Sequence, residues 1–423
     1  MLSLAGCASA PTPPAEPRAL LDAIARDYVQ LTLEIGEREP GYVDAYYGPA
    51  EWAAAAKAAP RDLAALSAAA AALVQRVAAV PIAGLDALEQ RRPAFLAAQL
   101  RAAQTRLRLL QGEKLSFADE AEGQFAWRPE LKPLSAYDPL LAELEALVPG
   151  PGPLSDRVDA ALAQTAIPAA KLDTVMRAAI AECRRRTAAH IALPAEEKFE
   201  LEFVKGKPWS GYNWYQGQAH SLIQINTDFP VLMSRAVDLG CHEGYPGHHV
   251  LNLLLEQRLA RGRGWVEFLV YPLYSPESFI AEGTANYGID LAFPDAERLA
   301  FERDVLYPLA GLDPSRAERD LALTRAKAKI SGARLTIAQQ YLDGVVDRET
   351  AIGLAQKYQL ISRERAEQSI TFTETYRSYV INYGLGQELA QAHVERAGTD
   401  PVVRWAAMER VLSEPTLPRD LAE

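Results

Sequence analysis

The sequence of 423 residues is short of basic side chains and of long apolar runs, and each shortage excludes a class of partner. It has 44 basic and 55 acidic residues, so its formal net charge is −11, which argues against binding to nucleic acid or to anionic lipid. No apolar stretch approaches the roughly 18 residues that a membrane-spanning helix needs. Hydrophobic residues still make up 49% of the chain, enough for a sizeable core in one large body or in two or three domains.

Cysteine is scarce, with three residues in the whole chain. Two of them, Cys183 and Cys241, do not indicate a disulfide framework, and their spacing does not suggest a thiolate metal site. We therefore expect Cys241 to be a small packed residue.

Cys7 differs from the other two because it ends the run Leu4-Ala5-Gly6-Cys7. That pattern is cut and lipidated in bacterial lipoproteins, and residues 8–14 resemble a flexible tether. Residues 1–17 are then a signal remnant and tether, and the protein faces the periplasm in the bacterial cell envelope. Only six residues precede Cys7, fewer than a signal peptide needs, so the alternative is an N-terminal tail with an inert cysteine.

Histidine is also scarce, and three of the six histidines lie within residues 241–249 together with Glu243. Apolar, helix-forming residues lead into and out of this segment, which predicts a buried helix with a break in its middle. In the motif H-E-x-x-H, two histidines one turn apart hold zinc and the glutamate acts as base. Here Pro246 occupies the position four residues after His242, and proline has neither a ligating atom nor a backbone N–H.

The Pro246-Gly247 pair offers a way for His248 to serve as the second ligand. On an unbroken helix His248 would lie about 9 Å beyond His242 along the axis. If Pro246-Gly247 is a two-residue insertion, a bulge brings His248 back beside His242. His249 is the competing ligand, because a spacing of seven residues restores the helical face.

A third ligand is predicted in the segment 275–287. Ser275 followed by Pro276 is typical of a helix start, and Glu277 is then an acid on the first turn. Glu282 lies in a helix of mostly apolar or small residues, one turn before Asn286, which can hydrogen-bond a ligand histidine. The alternative is that Glu282 is an ordinary surface residue.

The pattern His242-Glu243-x-x-Pro246-Gly247-His248, followed about forty residues later by Glu-Gly-x-Ala-x-Tyr, resembles the bacterial domain of unknown function 885 family. That family is grouped with the glutamate-zincin metallopeptidases. The resemblance implies a zincin-like body in which His242, His248 and Glu282 hold zinc and Glu243 is the general base. Residues 330–342 depart from the family pattern, which has a histidine in that region.

Outside the motif, residues 18–195 are predicted to be helical because apolar residues recur at three and four positions. Apolar and polar residues alternate in parts of residues 198–226, around an aromatic, glycine-containing turn, which predicts a small antiparallel sheet or hairpin. In zinc peptidases of the resembled class, an edge strand at this place pairs with the substrate backbone. A purely structural hairpin is the alternative.

The cluster of aromatic residues between 376 and 384 is the last candidate for the site. A tyrosine or arginine that bonds the oxyanion opposite the metal would complete the catalytic set. Tyr383, next to Gly384, is the preferred residue. Otherwise these side chains only pack between helices.

Together these patterns predict a mainly α protein with a small antiparallel sheet (α+β), whose catalytic region spans residues 196–423. The predicted function is a zinc-dependent hydrolase, most simply a peptidase in which Glu243 activates a water carried by zinc. The partners would be peptides, with membrane contact only through a lipid at Cys7, and the oligomeric state stays open. Two alternative functions stay open. One is a zinc hydrolase that acts on another amide or on an ester. The other is a non-catalytic lipoprotein whose structural metal has His249 as fourth ligand.

Overall fold

The computed structural model describes residues 16–423, and the predicted lipidation at Cys7 lies outside these residues. Its first half is mainly helical, as the apolar spacing predicted. Leu21, Ile24, Tyr28 and Leu31 are all buried on the first helix. The helices of this half are α1 (Pro17–Arg38), α2 (Ala50–Ala58), α3 (Leu63–Ala78), α4 (Arg92–Leu110), α5 (Phe117–Phe125), α6 (Asp138–Leu147), α7 (Leu154–Ala163) and α8 (Ala169–Ala188).

Two small sheets interrupt the helices. A strand that the helical prediction missed, β1 (Val43–Tyr46), pairs antiparallel with β5 (Val270–Pro272). The predicted sheet in residues 198–226 consists of β2 (Lys198–Val204), β3 (Gly211–Tyr215) and β4 (His220–Asn226), in the order β2-β4-β3. β3 and β4 form the expected antiparallel hairpin. The expectation of a purely antiparallel sheet is wrong, because β2 runs parallel to β4.

After β4 the chain is helical again apart from β5. The helices are α9 (Met233–Leu239), α10 (His248–Leu255), α11 (Pro276–Ala292), α12 (Asp295–Phe301), α13 (Tyr307–Ala310), α14 (Ala317–Ala328), α15 (Ala333–Leu342), α16 (Arg348–Gln359), α17 (Arg363–Tyr376), α18 (Ile381–Arg396), α19 (Pro401–Ser413) and α20 (Pro418–Ala422). As predicted, Ser275 caps α11 by accepting from the Ser278 N–H, and Pro276 begins it. Within residues 16–423, no helix combines the length and the apolar character needed to cross a bilayer.

Two hydrophobic clusters hold these elements together. The main cluster draws on both halves of the chain, including α1, α4, α8, α10 and α11. A smaller cluster joins α6 and α7 to α14–α17. Both predicted regions, 18–195 and 196–423, contribute to the main cluster, and the boundary between them stays a prediction.

The main cluster contains a covalent link that the sequence did not indicate. Cys183 on α8 and Cys241 form a disulfide, with their Cα atoms 5.4 Å apart. The expectation that these cysteines are unpaired is therefore wrong. They are 58 residues apart in the sequence, and only the packing of α8 against the segment that carries Cys241 brings them together.

Helices α11 and α18 cross at a pair of glycines. A Cβ atom on Gly283 would lie 2.4 Å from the backbone carbonyl of Gly386, and one on Gly386 would lie 2.8 Å from the Phe279 carbonyl oxygen. Both distances are far below a van der Waals contact, so neither residue can carry a side chain at this crossing. The two backbones therefore touch directly.

Glu277 occupies the first turn of α11, as predicted, but its side chain is buried and only 7% exposed. Burial raises the pKa of its carboxyl to about 8, and Glu267 adds to the rise, although a hydrogen bond from Gln99 opposes it. The ordinary value is 4.5. Folding therefore favours the protonated form, and the stability gained from it is complete below pH 4.5 and is lost as the pH rises through 8.

We expect Glu277→Gln to flatten the fall in stability between pH 5 and pH 8. At pH 8 the variant should be more stable relative to the parent than at pH 5, by about 1–3 kcal/mol, since glutamine cannot ionise. Urea unfolding of both proteins at the two pH values measures this difference. Glu51→Gln is the matched control, because Glu51 is an exposed first-turn acid of α2. Equal changes in the two variants would contradict the expectation.

Candidate metal centre

The broken helix predicted at residues 241–249 is present, and the break lies where proline and glycine were expected to place it. After α9 the chain makes a π-helical turn (Gly240–Gly244), then a cis Tyr245–Pro246 peptide bond, and it re-enters a helix at His248. The Gly247 N–H donates to the Cys241 carbonyl at 3.0 Å. A Cβ on Gly247 would lie 1.8 Å from the His242 carbonyl oxygen, so this closure requires glycine.

The closure brings the three predicted ligands together. His242 Nε2 lies 3.1 Å from His248 Nε2 and 3.2 Å from Glu282 Oε2, and the third edge, from His248 Nε2 to Glu282 Oε2, is 3.8 Å. Two nitrogens and one carboxylate oxygen are a donor set typical of catalytic zinc. Donor atoms about 2.0–2.1 Å from a tetrahedral zinc are roughly 3.3 Å apart, so these three positions fit that ion.

The state of the Glu282 carboxylate is a second test of this fit. The side chain is buried at 5% exposure, yet Oε2 accepts no hydrogen bond of acceptable geometry from any of residues 16–423. A buried carboxylate oxygen without a partner is costly. A cation shared with the two histidines would satisfy it.

The remaining atoms of the three predicted ligands are held in place by neighbouring residues. His242 Nδ1 lies 3.0 Å from Asn286 Oδ1, which leaves Nε2 for a metal, and Asn286 in turn donates to the Tyr383 carbonyl. Tyr379 donates its hydroxyl to Glu282 Oε1 at 2.7 Å. Such contacts fix ring orientation and ligand basicity in metal sites. The sequence predicted the role of Asn286 but did not single out Tyr379.

The protonation state of His248 also suits a metal. Burial lowers the pKa of His248 to about 4, against the opposing charge of Glu282. His248 is therefore neutral at pH 7, the form of imidazole that binds a metal. Burial raises the pKa of the Glu282 carboxyl, but the two histidines outweigh this effect and lower it overall, so Glu282 is an anion.

Glu243 lies beside the three donors without being one of them. Its side chain is 4% exposed and rests against β3, where a Cβ on Gly211 would lie 2.5 Å from Glu243 Oε1. The Glu243 backbone carbonyl accepts from Asn213 Nδ2 at 2.6 Å, which ties the residue to the sheet. Burial raises the pKa of Glu243 to about 7, although nearby His242 opposes the rise, and a bound cation would lower it.

His249, the competing ligand, points away from the three donors. It is fully buried, with Nδ1 2.8 Å from Ser221 Oγ and Nε2 3.1 Å from Glu197 Oε2. Burial would raise the pKa of Glu197, but His249, Tyr245 and Arg184 outweigh it and lower the value to about 2. His249 therefore joins α10 to the hairpin through Ser221 and to the residue before β2 through an ionised glutamate.

The aromatic ring of Tyr383 packs against the candidate metal centre. The ring stacks on that of His242 with 6.4 Å between centroids, and burial raises the pKa of its hydroxyl well above the ordinary value. Within residues 16–423 that hydroxyl makes no hydrogen bond. Arg377, in the same aromatic segment, is turned away from the centre and pairs with Glu120.

One acid near the centre was missed by the sequence interpretation. Asp44 on β1 accepts a hydrogen bond from the Tyr212 hydroxyl at 3.0 Å. Burial raises the pKa of Asp44 to about 7, and the charge of Glu282 adds to the rise. The only local signal was an acid within the aromatic run Tyr42-Val43-Asp44-Ala45-Tyr46-Tyr47, and nothing in that run places it beside Glu282.

No family model and no curated protein matches this chain, so the resemblance to the domain of unknown function 885 family rests on the motif residues alone. A crystal structure of a candidate lipoprotein from Colwellia psychrerythraea matches with a TM-score of 0.51 and 15% identity, over 82% of this chain and 66% of that chain. At this identity the likeness shows a shared fold only. The chain thus spans just under two thirds of that protein's length.

A second solved structure, an M32 carboxypeptidase from Deinococcus radiodurans R1, is more weakly similar. Its TM-score is 0.36 and its identity 13%, with 94% of this chain and 89% of that chain covered. A TM-score this low does not establish a common fold.

Proposed function

We propose that the chain is a zincin-like, zinc-dependent hydrolase that acts on peptides. The observation that carries the proposal is the buried Glu282 Oε2, which accepts no hydrogen bond of acceptable geometry from residues 16–423 and converges with His242 Nε2 and His248 Nε2. Zinc held there would polarise the scissile carbonyl and make a water nucleophilic at neutral pH.

In the proposed mechanism, Glu243 takes the proton of the attacking water and passes it to the leaving amine. Its carboxylate accepts no hydrogen bond from residues 16–423, so its lone pairs are available for this transfer. Asn213 holds the backbone of Glu243 from the sheet, which fixes the direction from which the base acts. Tyr383 is the proposed donor to the negative charge that develops on the carbonyl oxygen.

The choice of peptides rests on strand β3. β3 is an edge of the three-stranded sheet and lies against Glu243 through Gly211. An edge strand offers unpaired N–H and C=O groups that an extended peptide can meet. Trp214 on the same strand is 49% exposed and gives an apolar surface beside that edge. An ester or another amide would use the same donors without needing the strand.

The rival with a purely structural metal needs a fourth protein ligand. His249 was the candidate, but both of its ring nitrogens already face Ser221 and Glu197. The group of metal-binding side chains found within residues 16–423 has three members. This favours a site with a position left for substrate and water.

Metal analysis with peptide digestion tests the proposal. The purified protein should contain about one zinc per chain and cleave members of a peptide library, and a chelator should abolish cleavage until zinc is restored. Tightly bound zinc without hydrolysis of any peptide or ester would favour the structural-metal rival. Cleavage that survives full removal of metal would exclude the mechanism.

We further propose that the protein is a lipoprotein of the bacterial envelope, anchored through Cys7. The Cys183–Cys241 disulfide supports this location, because such bonds persist in oxidising compartments like the periplasm. Expression from the complete gene in a bacterium that processes lipoproteins should place the protein in the membrane fraction, and Cys7→Ser should release it. Soluble protein with an unmodified Cys7 would contradict the anchor.

A further inference from the structure

We propose that Arg334 binds a carboxylate of the substrate next to the metal centre, which adds a specificity to the proposed peptidase and rests on that function. Arg334 is the second residue of α15. Its Cζ atom lies 4.8 Å from the Phe372 ring centroid and 6.0 Å from that of Tyr383. Because the Tyr383 ring also stacks on His242, a single tyrosine separates the guanidinium from a metal ligand.

The guanidinium of Arg334 has no counterion among residues 16–423. Arg334 forms no ion pair or side-chain hydrogen bond with any of residues 16–423, and its Nε is buried without a partner. Arg334 is half-buried as a whole. The fully buried arginines Arg92 and Arg298 are each paired with two acids, Arg92 with Glu267 and Asp22, and Arg298 with Glu302 and Asp238. Since a buried N–H without an acceptor is costly, the unpartnered Nε of Arg334 points to a ligand that completes it.

The acids nearest the site are already engaged. Glu282 belongs to the donor set, Glu243 is the proposed base, and Asp44 accepts from Tyr212. The complementary anion must therefore come with the substrate. Guanidinium presents a planar fork of N–H donors that matches a carboxylate. On a peptide, that carboxylate is either the C-terminus or the side chain of an aspartate or glutamate.

The position beside Tyr383 sets where this carboxylate lies. Tyr383 is the proposed donor to the scissile carbonyl oxygen, so a group held by Arg334 lies within about one or two residues of the scissile bond, given 3.8 Å between successive Cα atoms. A terminal carboxylate at that distance would make the enzyme cleave close to the C-terminus. An acidic side chain there would make it select acidic neighbours of the scissile bond.

The test measures binding and turnover separately. The full chain, loaded with zinc and carrying Glu243→Gln to prevent hydrolysis, is titrated by calorimetry with tetra-alanine as free acid and as C-terminal amide. A second pair of peptides, amidated Ala-Ala-Glu-Ala and Ala-Ala-Gln-Ala, tests whether Arg334 binds a side-chain carboxylate. The same titrations are run with Arg334→Gln and Arg334→Lys added, and kcat and KM are measured for the same peptides in the background that retains Glu243.

Arg365→Gln is the matched control. Arg365 also stacks on a ring, that of Phe229, at 4.6 Å, and forms no ion pair within residues 16–423. It lies near the start of α17, while Tyr376 of the aromatic cluster ends that helix, roughly 17 Å away along the axis. The Arg365→Gln variant should leave the affinity for each peptide, and kcat and KM, unchanged.

One of the two carboxylate peptides should bind the parent about 10- to 100-fold more tightly than its neutral partner, the range of a hydrogen bond to a charged group. Arg334→Gln should remove this preference, and Arg334→Lys should retain part of it. Preference for the free acid assigns the C-terminus, and preference for Ala-Ala-Glu-Ala assigns a side chain.

Two results would overturn the assignment. One is a parent that does not distinguish either pair. The other is an Arg334→Gln variant that weakens acid and neutral peptides equally, because Arg334 would then act only by supporting Tyr383. If the Arg334-dependent preference is present but no peptide is cleaved, the carboxylate site stands and the peptidase proposal fails. If peptides are cleaved but show no Arg334-dependent preference for a carboxylate, the peptidase proposal stands and the carboxylate site fails.

Discussion

Glu243→Gln is expected to lower hydrolysis by about 10²- to 10⁴-fold, the usual contribution of a general base, while leaving zinc content and melting temperature near those of the parent. Glutamine has the size of glutamate but cannot take a proton. The carboxylate accepts no hydrogen bond from residues 16–423, so the amide removes no fold contact. Zinc content, melting temperature and peptide hydrolysis are measured on one preparation.

Asn213→Ala is an informative companion to this variant. Asn213 Nδ2 holds the Glu243 carbonyl, so its loss should misplace the base without removing it. We expect an intermediate fall in kcat, smaller than that of Glu243→Gln, because positioning a base contributes less than the base itself. A Glu243→Gln protein that turns over near the parent rate would exclude the proposed mechanism.

The second large effect is the loss of zinc when a donor is removed. Each of His242→Ala, His248→Ala and Glu282→Ala should weaken zinc binding by more than about 100-fold, because even the loss of an outer partner costs about 10- to 100-fold. Asn286→Ala, which removes such a partner of His242, should fall within that lower range. Competition with a chromogenic chelator measures the affinities.

His249→Ala is the control for this series. It lies next to His248 but binds Ser221 and Glu197, so its loss should lower stability while zinc affinity stays near that of the parent. Breaking a buried pair typically destabilises by about 3–5 kcal/mol. A His249→Ala protein that has lost its zinc, beside a His248→Ala protein that keeps it, would show that the ligands are wrongly assigned.

The sequence was most informative where a few residues close together in the chain determine the local geometry. Pro246 and Gly247 within a buried helix predicted a bulge, and the bulge does return His248 to His242. Asn286, one turn after Glu282, likewise faces the expected histidine. His242 and His248 flank one break in the chain, so local spacing was enough to relate them. For Asn286, spacing gave only its position one turn after Glu282, and its contact with His242, 44 residues away, was expected from the second partner that a metal-binding histidine needs.

Contacts between distant elements were beyond such reasoning. Tyr379 reaches Glu282 from 97 residues away, and Cys183 reaches Cys241 from 58. Neither pair has a spacing that marks it. The parallel pairing of β2 with β4 was missed for a related reason, because alternating apolar residues predict a strand and its faces but do not give its direction relative to a neighbour.

The crossing of α11 and α18 at Gly283 and Gly386 determines which positions of this site can vary over evolution. Glu282 immediately precedes one glycine, and Tyr383 lies three residues before the other. A methyl group on either glycine would push the helix that carries Glu282 away from the helix that carries Tyr383. Under the proposed function, descendants of this sequence can exchange Arg334 or Trp214 to suit a new peptide, but they must keep two residues that have no side chain at all.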